Sequence, residues 1–74
     1  MTRLPIVSGK DVIKVLLKSG YYIRRQKGSH VRLFHETKSA ITVPLHKELK
    51  RGTLRSILRD AELDVELFVR LLKE

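Results

Sequence analysis

The chain has 74 residues and carries sixteen Lys or Arg against eight Asp or Glu, a formal charge of +8. A chain of that length makes one domain, residues 1–74, with a modest core. The lack of cysteine excludes a disulfide framework and a thiolate metal site. The longest apolar runs are three residues, as at Val15-Leu16-Leu17, far short of a membrane span or a signal-peptide core, so a soluble, cytoplasmic protein is expected.

Ser8 reads as an N-cap, with Asp11 three residues on completing a short capping box. Val12, Val15, Leu16 and Ser19 then recur at helical spacing, with Ile13 and Leu17 widening the apolar face, and Gly20 stands where a left-handed residue ends a helix. The first helix is expected over Gly9 to Ser19. Three strands follow. Tyr21 to Lys27 is the first, Lys27-Gly28-Ser29 signals a turn, and His30 to His35 is the second. In that strand Val31, Leu33 and His35 share one face, and His30, Arg32 and Phe34 the other. A polar loop, Glu36 to Ser39, leads into Ala40 to Val43, and Pro44 ends this third strand because it cannot donate to the ladder.

The last third reads as two helices. Thr53 is the expected N-cap of the first, and Leu54, Ile57, Leu58 and Ala61 form its apolar stripe. Asp64 is the expected cap of the second, with Leu63 and Phe68 as a hydrophobic staple and Val65, Phe68, Val69 and Leu72 as the packing stripe. The order α-β-β-β-α-α makes an α+β fold resembling double-stranded-RNA-binding domains, with a three-stranded antiparallel sheet covered on one face by helices. Fold alone does not separate a binder from an enzyme.

Charge narrows the partner. Residues 1–59 hold fourteen Lys or Arg against Asp11, Glu36 and Glu48, whereas residues 60–74 hold two against five acids. A basic body with an acidic end suits a polyanion on one side. Gly28-Ser29-His30 is the tripeptide with chemistry in it, because a tight turn holds a histidine at a strand start. Histidine trades protons near neutral pH, and RNA brings its own nucleophile in the 2′-hydroxyl. Arg24, Lys27 and Arg32 are near enough in sequence to hold the phosphate. Taken alone, the tripeptide reads more simply as a surface histidine after a hairpin turn. Lys50, Arg51 and the amides at Gly52, Thr53 and Leu54 form an anion site at a helix N-terminus, which Arg55 and Arg59 extend. The bland account, an amphipathic helix with solvated arginines, suits Arg59 better. His30, His35 and His46 have no Cys or carboxylate pattern beside them and do not read as a metal triad.

Gly28-Ser29-His30, then Val43-Pro44-x-His46, then Gly52-Thr53-Leu54-Arg55-x-Ile57-Leu58-Arg59 resembles the HicA toxins, also called the YcfA-like family. The resemblance covers almost the whole chain. It implies the fold above, an endoribonuclease acting on mRNA, and a catalytic histidine at His30; because a base and phosphate-holding cations suffice for RNA's own 2′-hydroxyl, the expected enzyme is metal-independent and without a cofactor. Lys27, Gly28, Ser29, Arg24, Arg32, Lys50, Arg51 and Arg55 become the expected RNA-binding set, with His46 in a supporting place. It also implies a HicB-type antitoxin that masks the site. Glu62 departs from the pattern, standing where many members have Gly, and predicts a different helix end. Two other readings compete: a non-catalytic RNA-binding module on the same basic face, and a unit that meets an acidic protein.

Overall fold

The computed structural model describes residues 3–74. Its elements are α1 (Gly9–Lys18), β1 (Tyr22–Lys27), β2 (His30–Phe34), β3 (Ile41–Pro44), α2 (Arg51–Asp60) and α3 (Val65–Lys73). The capping box closes as expected: Ser8 Oγ accepts from the Asp11 amide at 3.1 Å, and Asp11 accepts from the Ser8 amide at 3.0 Å. Val12, Val15 and Leu16 are buried, whereas Leu17 is 45% exposed. One helical step beyond Leu16 turns Leu17 off the apolar stripe, so the face is narrower than its sequence suggests.

The sheet is antiparallel with β2 in the middle. Val31 and Leu33 pair with Val43 and Ile41, and all four are buried against the helices. His30, Arg32 and Thr42 stand on the opposite, open face. The Leu45 amide donates to the Ser29 carbonyl at 2.6 Å. By the alternation of antiparallel ladders, the adjoining His30–Pro44 pair exchanges no hydrogen bond. Pro44 can therefore be the last residue of β3 rather than the residue beyond it. Edge strand β1 is exposed along its length and carries a bulge between Ile23 and Arg25. Tyr21, expected to open β1, lies before it and is buried, its hydroxyl donating to the Ser39 carbonyl at 2.9 Å. Burial first, then Asp60 and Glu62, push its phenol above the usual value and keep it a neutral donor.

α2 begins earlier than its composition indicates. Its N-cap is Lys50, whose carbonyl accepts from the Leu54 amide at 3.0 Å, and no side chain caps it. Thr53 is thus inside the first turn. The start is decided by buried Leu49, whose amide donates to the Val7 carbonyl at 2.9 Å, and not by a capping side chain. At the other end the Leu63 amide reaches the Leu58 carbonyl at 2.9 Å and the Glu62 amide reaches Arg59 at 3.1 Å. That is a Schellman closure with Glu62 left-handed at φ 58°. Glu62 does not change how the helix ends; it takes up the conformation that suits Gly. Glu62→Gly is therefore expected to raise stability by about 1 kcal/mol, read as a higher denaturant midpoint at unchanged m-value.

Asp64 caps α3, its carboxylate accepting from the Leu67 amide at 2.7 Å, and Leu63 and Phe68 are both buried as the staple requires. The packing side is Phe68 with Val65, Leu67, Leu71 and Leu72. Val69, expected in that stripe, lies instead beside Glu66, Arg70 and Lys73. The Lys18 ammonium on α1 donates to the Leu71 and Glu74 carbonyls at 2.9 and 2.8 Å, at the negative end of α3 where the helix dipole favours a cation. Among the described residues no helix is long and apolar enough to cross a membrane.

Candidate active site

The β1–β2 hairpin closes on the Lys27–His30 pair through Gly28 and Ser29. Gly28 has φ 58° at the first loop position, which a two-residue loop of the II′ kind requires. Open space surrounds the place where a Cβ would stand, so backbone conformation and not crowding calls for glycine here. The turn presents His30 as the first residue of the central strand, solvent-exposed, with Lys27 on one side and Pro44 on the other. Its neighbour Val31 is anchored in the core at 2% exposure, which sets the histidine on the open face.

Cations continue along that face. Lys27 is the direct neighbour of His30, and Arg32 stands two residues further along β2. Arg32 Nη1 donates to Thr42 Oγ1 at 2.8 Å. Arg24 is further off: its guanidinium lies 5.8 Å from the ring centre of Phe34, and that of Arg32 lies 5.6 Å from the same ring. Arg25, which the sequence reading passed over, pairs directly opposite Arg32. The register that pairs Lys27 with His30 across the two-residue turn carries Arg25 to Arg32 by plain two-residue alternation, so the signal for it lay in the turn itself. None of the three strands contains Asp or Glu.

The helix N-terminal group is arranged differently from its expectation. The amides without an intrahelical partner are those of Arg51, Gly52 and Thr53, since the Leu54 amide is taken by Lys50. An open cleft of about 490 Å³ brings Arg32 and Thr42 together with Gly52, Thr53 and Ser56. Sheet face and helix start thus share one depression across the free edge of β3. Lys50 at the N-cap and Arg51 and Arg55 on α2 are exposed and do not line it, and neither does His30.

The other histidines have structural places. His46 is exposed, and its carbonyl accepts from the Gly9 amide at 2.9 Å. The motif position therefore ties the loop to α1 through its backbone. His35 is half-buried against Tyr21, with ring centres 4.9 Å apart, and its Nδ1 accepts from the Thr37 and Lys38 amides at 3.1 and 3.3 Å. His35→Ala is expected to destabilise by about 2 kcal/mol, through two lost turn hydrogen bonds and the lost ring contact, measurable as a lower melting temperature. Among the described residues no three His, Cys, Asp or Glu gather in a way that holds a metal ion.

Comparisons with known proteins bear on the family of the chain. Residues 9–63 match the family model described as the HicA toxin of bacterial toxin-antitoxin. No curated protein matches the chain. A chain of a toxin-antitoxin complex from Streptococcus pneumoniae is 34% identical over 77% of this chain and 98% of that one, with a TM-score of 0.68. The matched stretch runs from the first residue of α1 to the residue after left-handed Glu62, and so takes in His30, its turn and all of α2. The chain belongs to the HicA toxin family of bacterial toxin–antitoxin systems.

Proposed function

We propose that residues 1–74 act as a single toxin domain that cleaves mRNA in the cytoplasm, with His30 as the proton-transfer group and no metal or cofactor in the step. The observation that carries this reading is the place of His30: exposed at the end of the central strand, on a sheet face with four strand cations and no acid. His30 takes the proton from the 2′-hydroxyl. The 2′-oxygen bonds to the adjacent phosphorus as the bond from phosphorus to the 5′-oxygen breaks, and the departing oxygen takes a proton from water. One fragment ends in a 2′,3′-cyclic phosphate and the other in a 5′-hydroxyl.

Lys27 holds the phosphate beside His30, and the exposed backbone of Gly28 and Ser29 lets the strand come close. Arg32 and Arg24 take the phosphates that follow along the sheet. Lys50, Arg51 and Arg55, with the free amides of the first α2 turn, hold a more distant stretch of the backbone. A HicB-type antitoxin is the protein partner, supported by the family and by the complex in which the related chain occurs. Covering the open sheet face would silence the toxin.

The test is to incubate antitoxin-free, folded protein with RNA in the presence of a chelator and to determine the product ends. Cleavage with cyclic phosphate ends is expected. RNA that is bound and left uncut would assign the chain to non-catalytic RNA binding instead.

A further inference from the structure

We infer that the open sheet face around Phe34 and Tyr22 is a stacking platform for unpaired bases, so that the RNA crosses this face as a single strand. The inference rests on the reading above and adds the form of RNA that the face accepts.

The chain has only two tyrosines and two phenylalanines. Tyr21 and Phe68 are buried in the core. The other two are cross-strand partners, Tyr22 opposite Phe34, with ring centres 6.5 Å apart and planes at 31°. Tyr22 is 46% exposed. The β1 bulge puts it there. With strict alternation back from Lys27 and Arg25, Ile23 would face outward and Tyr22 inward; the extra residue at Arg24 reverses both. Ile23, opposite Leu33, remains 50% exposed on this edge strand, so the bulge sets the Tyr22 ring beside Phe34 without burying an apolar side chain in exchange.

The charges point the same way. Arg25 and Arg32 stand directly opposite each other, a like-charge pair that destabilises a sheet unless an anion lies between or above them. Arg24, Arg25, Arg32 and Phe34 line a depression of about 240 Å³. Both guanidiniums near Phe34 lie at 5.6 and 5.8 Å, close to the outer limit of about 6 Å for a cation–π contact, so they hold the ring loosely and can give way to a base. Phosphate binding alone asks for cations; paired aromatics among cations suit bases that are unstacked and free to lie on a ring. Phe34 is four residues along the same strand from His30, about 13 Å, which puts the platform beside the cleavage site and separate from it.

The experiment measures binding of a labelled, single-stranded 2′-O-methyl oligonucleotide by fluorescence anisotropy, since this probe lacks the free 2′-hydroxyl and stays intact. Phe34→Leu is expected to weaken binding about tenfold without changing the salt dependence. Arg25→Gln is expected to flatten the slope of log affinity against log salt by about 0.7, the loss of one phosphate contact on a single strand. The same sequence as a duplex is expected to bind the parent protein more weakly. Melting curves confirm folding, and Tyr22→Leu replaces Phe34→Leu if the latter unfolds. Unchanged affinity in the aromatic variant, or a duplex bound as tightly as the single strand, overturns the inference. So does a variant that loses antitoxin binding while keeping the oligonucleotide, which would make the platform a protein-docking face. Because the probe is never cut, failure of the nuclease reading shows separately, as absent cleavage of ordinary RNA by the parent.

Discussion

His30→Ala is expected to lower RNA cleavage by about 10²–10⁴-fold, the usual contribution of a positioned acid–base group, while RNA binding changes little. The side chain is exposed and leads a strand whose next residue, Val31, carries the packing. The substitution should therefore shift stability by no more than about 0.5 kcal/mol. Parent and variant can be compared by single-turnover cleavage with excess protein, with anisotropy on the uncleavable oligonucleotide as the binding control. Equal loss of binding and cleavage would mean that His30 only holds RNA. Cleavage within a few fold of the parent would remove it from the chemistry altogether, and the proton would have to go to another group on the open face.

The second large effect concerns a residue far from any proposed chemistry. Gly9 opens α1, and a Cβ there would fall inside contact distance of the Pro44 carbonyl oxygen and 3.0 Å from Leu45 Cα. Both are backbone, so neither can swing aside. Gly9→Ala is expected to cost about 2–4 kcal/mol, from steric overpacking and from strain on the Gly9–His46 hydrogen bond. In a chain of this size that is a fall in melting temperature of roughly 10–25 °C. Gly52→Ala provides the control. Gly52 also lies in the first turn of a helix, but nothing stands within 4 Å of its missing Cβ. There alanine should gain up to about 1 kcal/mol from helix propensity. Opposite signs at two first-turn glycines would show that the approach of α1 to the Pro44–His46 segment sets the cost. If both substitutions stabilise, that approach is looser than the structure has it.

The Gly9 contact also bears on the site, because the segment it touches ends the strand paired with His30. A shift at Pro44 passes directly to the His30 register. Gly9→Ala should therefore lose cleavage in parallel with stability, whereas His30→Ala loses cleavage alone.

Much of this molecule was legible in its sequence where the signal spans a few residues. The Ser8–Asp11 capping box, the Asp64 cap with its Leu63–Phe68 staple, and the Gly28-Ser29 turn each act between close neighbours, and each formed where expected. Strand β2 was equally readable, since Val31 and Leu33 inward put His30 and Arg32 outward by the two-residue period alone. The three motifs were enough to point to the family.

Other features depend on segments that meet only after folding. The start of α2 follows from Leu49 pairing with Val7, so its composition suggested Thr53 when Lys50 holds the place. Lys18 on α1, more than fifty positions earlier, meets the last carbonyls of α3. The β1 bulge exists only against β2, and with it comes Tyr22 opposite Phe34. The sequence by itself determined the caps of α1 and α3, the turn, the alternating core strand and the histidine at its start, because neighbouring residues along the chain suffice for each. Tertiary structure decided which cations and rings share the open face and why Gly9 must lack a side chain, because those depend on the distance between backbones brought together from different parts of the chain.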